Sequence, residues 1–220
     1  MINSQKLKIL GNDHFKERQE VAEILINGTA TFHNQVLADS FDILGRCRIK
    51  DSIEVGQFVN RGSCSVDGKL TCEDLQNIGQ GTYEIINADR INSSGSLVVN
   101  GAVQCQSFRS TGFLKLNEVL VGEQVSIKVS APSKVCEIIG KETVEIKSVR
   151  TTLLNVISLV RRKMIAESIK GDNIYLENTE AVHVSGGIVE IGENCKINEV
   201  FYRHDLKVHP KSFVGKTTKI

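Results

Sequence analysis

From Leu7 to about Val129 the chain alternates apolar and polar residues in short runs, as in Phe41-Asp42-Ile43 and Ile49-Lys50-Asp51-Ser52-Ile53-Glu54-Val55. Period two is strand behaviour, and no helical period competes with it. The alternation itself recurs. Apolar residues stand at Leu7, Ile24, Phe41, Phe58, Leu75, Ile91 and Phe108, and again at Phe15, Phe32, Ile49, Val66, Tyr83, Val99 and Leu116. Midway between the two columns fall Gly11, Gly28, Gly45, Gly62, Gly79, Gly95 and Gly112, at steps of 17, 17, 17, 17, 16 and 17 residues. A 17-residue unit is too brief for a helix-turn-helix and lacks the leucine-rich signature. It fits one coil of a parallel β-helix, in which equivalent side chains of successive coils rest on one another. The glycines then mark corners where a Cβ would clash or φ must be positive. The one-residue slip before Gly95 is expected in a surface loop.

Beyond Val129 the beat fades. Lys134 to Lys147 predicts a hairpin about Gly140-Lys141-Glu142, and Thr151 to Lys163 a short amphipathic helix or one more strand, basic at Arg161-Arg162-Lys163. A looser coil pattern returns from Met164. Leu176, Ile191 and Val208 open similar stretches 15 and 17 residues apart, predicting about three further coils. The expected divisions are coils over 1–130, an insertion over 131–163 and coils over 164–220.

Composition narrows the function. With 220 residues, 24% of them charged and a formal net charge of +1, the chain has no global field to draw in nucleic acid. Its longest apolar stretch, Thr151 to Val160, is interrupted by Asn155 and Ser158 and is shorter than the roughly 20 residues a bilayer needs. Met1 to Leu10 lacks a signal-peptide pattern, which predicts a cytoplasmic protein. Six cysteines form no C-x-x-C pair. Cys47 with Cys64, and Cys72 with Cys105, share repeat positions, so they read as small buried hydrophobes.

Catalytic patterns are absent from this reading. His14 and His33 have the parity of solvent-facing positions, and no strict six-residue repeat of the acyltransferase kind runs through the chain. The acidic residues Asp39, Asp42, Asp51, Asp67, Asp74 and Asp89 are scattered and share no single column. Gly215-Lys216-Thr217 lacks the upstream glycine of a phosphate loop. No catalytic, cofactor or metal site is expected.

A stack of coils also has ends. A terminal coil offers unpaired N–H and C=O groups beside apolar columns, and a contact that repeats without closing yields filaments. The candidate self-association residues are Leu7, Ile9 and Phe15 at one end and Phe201, Tyr202, Phe213 and Val214 at the other.

The glycine-punctuated repeats Ile24-Leu-Ile-Asn-Gly28-Thr-Ala-Thr-Phe32 and Leu97-Val-Val-Asn-Gly101-Ala-Val103, with the later Ile169-Lys-Gly-Asp-Asn-Ile-Tyr-Leu-Glu-Asn-Thr, resemble the bactofilins, polymer-forming cytoskeletal proteins of bacteria. The resemblance implies a right-handed parallel β-helix that assembles into filaments without nucleotide. It also implies a scaffold for cell shape, envelope or motility machinery, often at the membrane. Partners implied are further copies of the chain, a paralogous scaffold, and peripheral contact with the membrane or its machinery. The alternatives are a β-helix enzyme, acyltransferase or polysaccharide-active, and a non-polymerising adaptor that binds through 131–163.

Overall fold

The computed structural model describes residues 3–149 and 162–220. Among them every regular element is a strand, and the strands form a β-solenoid of about twelve turns of roughly 17 residues. By contacts the chain divides into two compact units, Met1–Gln106 and Ser107–Ile220.

The first unit holds β1 (Asn3–Ile9), β2 (Asn12–Phe15), β3 (Gln19–Ile26), β4 (Thr29–Phe32), β5 (Val36–Ile43), β6 (Arg46–Ile49), β7 (Ile53–Asn60), β8 (Ser63–Asn77), β9 (Gln80–Ser93), β10 (Ser96–Val99) and β11 (Val103–Gln104). Each pairs in parallel with its counterpart one coil away: β1 with β3, β3 with β5, β5 with β7, β2 with β4, and β4 with β6. Strand register makes the columns literal. Phe41 lies opposite both Ile24 and Phe58, and Phe58 opposite Leu75. The rings of Phe41 and Phe58 stack at 5.3 Å with an interplanar angle of 1°. Phe32, Ile49, Val66, Tyr83 and Val99 fill the second column, all buried. Each large side chain taken out of water contributes about 1.5–3 kcal/mol.

No glycine has positive φ. The corner glycines exist for closeness. A Cβ on Gly28, Gly45, Gly62, Gly79 or Gly95 would collide with the carbonyl oxygen of the column glycine one coil earlier. That same oxygen accepts a hydrogen bond from the next coil: Arg46 N–H donates to Gly28 O at 2.9 Å and Ser63 N–H to Gly45 O at 2.9 Å. Gly11 has nothing within 4 Å of its own Cβ position. The one-residue slip does not sit in a loop. It falls inside the β8–β9 pairing, between Val66↔Tyr83 and Lys69↔Ile85, where both strands run through the bend as single elements.

The second unit holds β12 (Ser107–Ser110), β13 (Phe113–Val129), β14 (Ser133–Ser148), β15 (Met164–Leu176), β16 (Thr179–Ile191), β17 (Lys196–Val208) and β18 (Phe213–Lys219). Phe108 and Leu116 are buried in it, and Gly112 lies at the bend between β12 and β13. The hairpin expected over Lys134 to Lys147 is not there. That stretch is the single strand β14, parallel to β13 on one side and β15 on the other. Gly140 bends the strand without reversing it, because a parallel coil turns its corner by a register shift at Gly140/Thr143. The segment expected to form an amphipathic helix or strand lies outside the described residues at 150–161; Arg162 and Lys163 lead into β15.

The later coils rest directly on β14. Leu116, Val135, Ala166, Ala181, Ile197 and Val214 make one file, and Leu176, Ile191 and Val208 another. A second glycine ladder, Gly122↔Gly140↔Gly171↔Gly186, turns a corner of this unit.

Candidate functional site

With the interiors filled, chemistry has to come from outward faces and from end coils. At the first coil Leu7 lies opposite Ile24 and Phe15 stacks on Phe32 at 4.8 Å, both half-buried. Ile9, expected on an open end, is instead buried against Ile26, since its side chain points into the stack. At the last coil Val214 tops its file, half-exposed. Phe213 faces outward in the column of Lys196. Phe201 and Tyr202, also expected there, belong to β17 and pair with Thr218 and Lys219 of β18, so they sit one coil back. Val208 was missed by the sequence reading. Ile191 below it is 1% exposed, whereas Val208 is 41% exposed. Leu206, above Val189, is also partly open. Parity alone names these residues as core; they are uncovered because β18 pairs only with Lys196–Tyr202 of β17.

One outward face of the first unit is acidic. Register places Asp39, Gly56, Glu73 and Asp89 in a single column, with Glu54 in the next. Asp39 and Asp89 fall in this column, Asp89 because the deletion between Tyr83 and Ile85 shifts it by one place, while the other aspartates stand outside it. None of these four carboxylates has an ion-pair partner among the described residues. They edge a cleft of about 510 Å³ whose floor includes Leu37, Ala38, Val55 and Cys72. Elsewhere on this unit carboxylates are paired between coils, Arg48 with Asp67 and Arg90 with Asp74, each at 2.9 Å, and Arg61 with Asp42.

One outward face of the second unit is apolar with a basic margin. Phe113, Pro132 and Ile165 line a cleft of about 360 Å³ together with Lys115, Lys134 and Lys163. Ile165 continues into Val182 beside Lys196. Lys163 is paired with Glu180 at 2.5 Å, while Lys115, Lys134 and Lys196 have no ion pair among the described residues.

A separate groove on the second unit, about 490 Å³, contains Arg109, Glu145, Tyr175 and Glu190. It adjoins one of about 670 Å³ containing Glu177, Glu193, Lys207 and His209. Tyr175 donates its hydroxyl to Glu177 at 2.5 Å and lies under the Lys147 ammonium, 5.5 Å from the ring centre.

The histidines are dispersed. His14 and His33 lie 6.3 Å apart on the outside. Partial desolvation, then Lys50, His14 and Lys16, push His33 below its ordinary value. His183 meets Glu199 at 3.3 Å and His209 meets Glu193 at 3.6 Å. Cys47 and Cys64 lie in register, both buried. Burial and then Cys47 hold the Cys64 thiol up, and burial, Asp74 and Asp89 push Cys72 to about 12. Such thiols are poor nucleophiles and poor ligands. Among the described residues no group of His, Cys, Asp or Glu is placed to hold a metal ion, and no helix is long and apolar enough to cross a membrane.

No protein-family model matches the chain, and no solved structure matches it. The uncharacterized protein YhbE of Bacillus subtilis (strain 168) is 35% identical over 107 residues, 48% of this chain and 45% of its own. The uncharacterized protein YhbF of the same organism is 43% identical over 58 residues, 26% of this chain and 25% of its own. The chain spans less than half the length of these curated relatives.

Proposed function

We propose that the protein is a non-catalytic scaffold of the bactofilin kind that associates with further copies of itself by adding coil to coil, without nucleotide. The observation that carries this reading is the exposure of Val208 at 41% above Ile191 at 1% in one apolar file. A coil from another copy that continued the file would bury Val208, Leu206 and Val214 and pair the free edge of β18. Burying one such side chain contributes about 1.5–3 kcal/mol, and the edge hydrogen bonds supply direction. Contact of one end with the other end of a second copy is heterologous, and such a contact propagates wherever its rotation does not close. The scaffold works in the cytoplasm, with peripheral contact to membrane machinery or a paralogous scaffold as its attachment.

The test is negative-stain microscopy with sedimentation of purified protein in the absence of nucleotide. Wild-type protein forms threads, and Val208→Asp with Val214→Asp forms only small particles while keeping its β circular dichroism. Small particles from both, at high concentration, would move the reading to a non-polymerising adaptor.

A polysaccharide-active protein is the second reading. The groove lined by Tyr175, Glu177 and Glu190 favours it, since carboxylates beside an aromatic ring suit sugar binding. Glycan binding that is lost in Glu190→Gln would support it over the scaffold.

A further inference from the structure

Two outward faces of this chain carry opposite charge on the same pitch. On the second unit, the column Lys115, Lys134, Ile165, Glu180, Lys196 runs alongside Phe113, Pro132 and Val182. Glu180 is neutralised by Lys163, which leaves Lys115, Lys134 and Lys196 without an ion pair among the described residues, beside an apolar strip. Phe113 is 39%, Ile165 45% and Val182 39% exposed. On the first unit, Asp39, Glu54, Glu73 and Asp89 surround a cleft floored by Leu37, Ala38 and Val55. The column has a gap at Gly56, between Asp39 and Glu73, where no side chain stands between the carboxylates. Both faces belong to parallel stacks, so their rungs repeat at the same interval of about 4.8 Å.

We propose that the lysine-edged apolar strip of the second unit docks on the acidic cleft of the first unit of another copy, joining copies side by side. Phe113 and Ile165 supply apolar area to the cleft floor, and Lys115 and Lys134, on adjacent rungs, meet Glu73 and Asp89, also on adjacent rungs. Complementary ladders of equal pitch fix register, because a slip of one rung puts lysines against the uncharged Gly56 position or beyond the acidic column. Charge complementarity of this kind sets specificity and encounter rate more than raw affinity. The contact is heterologous: each copy offers one strip and one cleft. The inference rests on the self-associating reading but uses different residues from the end coils, so the two fail separately.

Charge reversal tests it with the full chain. One variant carries Lys115→Glu with Lys134→Glu, the other Glu73→Lys with Asp89→Lys. All four positions are on outward faces, so circular dichroism and melting stay close to wild type. In sedimentation velocity at low salt each variant alone associates laterally at least tenfold more weakly than wild type, because like charges now face one another. Mixed one to one, the variants recover association, since each strip again meets a cleft of opposite sign. Raising the salt to 1 M, where the screening length is about 3 Å, weakens the wild-type contact as well. End-to-end threads persist in both variants if the end coils join copies, which separates the two interfaces. Either variant alone associating like wild type, or a mixture that stays dissociated, would overturn the proposal. So would wild-type protein that shows no lateral association and instead uses Lys115 and Lys134 to pellet with phosphatidylserine vesicles.

Discussion

The corner glycines show how a single hydrogen atom can decide a coil. At Gly45 a methyl group would occupy the space of the Gly28 carbonyl oxygen, which is committed to the Arg46 N–H. Gly45→Val is therefore expected to lose at least the roughly 1–3 kcal/mol of overpacking, with the Arg46 hydrogen bond strained in addition. Gly11→Ala, with nothing within 4 Å, is expected to leave the melting temperature unchanged. Denaturant titration of both variants compares them directly. The buried thiols make a second residue-scale case. The Cys72 thiol rises from an ordinary 9.0 to about 12 on folding, and Cys105 likewise to about 12, through burial. Because the folded state holds these thiols neutral, their contribution is complete below pH 9 and is lost as the pH climbs from about 9 toward 12. Urea titrations at pH 8 and pH 10.5 should show the midpoint falling in wild type, and falling less in a Cys72→Ala, Cys105→Ala protein.

A buried polar file runs through several elements of the first unit. Asn60 of β7 donates to Asn77 of β8 at 2.9 Å, and Asn77 donates to Ser93 of β9 at 3.1 Å. Each amide also donates to a backbone carbonyl of the coil above, Gln80 O or Ser96 O, at 2.9 Å. These bonds tie corner to strand where an apolar residue such as Ile43 occupies the same file below. At the same scale, β14 is the element whose nature most changed between pattern and fold. Paired along both edges, Val135 to Ile146 should exchange amide hydrogens as slowly as β13 and β15. A free hairpin would instead leave alternate amides of its outer edges quick to exchange, and hydrogen-exchange mass spectrometry distinguishes the two.

For the molecule as a whole, two kinds of surface bear on the proposed assembly. The uncovered files at Val208 and Val214 suit growth along a stack, and the strip at Phe113 and Ile165 suits contact between neighbours. Both are read from exposed apolar side chains at positions where the surrounding files are closed. The aspartate double variant at Val208 and Val214 and the lysine-to-glutamate double variant at Lys115 and Lys134 therefore give different microscopy outcomes: loss of threads in the first, single unbundled threads in the second.

The residue pattern alone determined that this chain is built of parallel coils, because a repeat of 17 carries its own evidence: Leu7, Ile24, Phe41 and Phe58 can share a neighbour only if each coil advances by one strand spacing. It also determined the corner glycines and the echo of Leu176, Ile191 and Val208. What it left open was register wherever the period changed. The deletion before Ile85 moved Asp89 into the column of Asp39 and Glu73 and so made an acidic face, and steps of 18, 31 and 15 hid Gly122, Gly140, Gly171 and Gly186 as a second corner. The signal for that corner, an aliphatic residue two places before each glycine, is too common to stand out in a sequence. Alignment between coils is set by hydrogen bonds to the strand next door, a long-range choice, and only the tertiary structure records which residue each strand met.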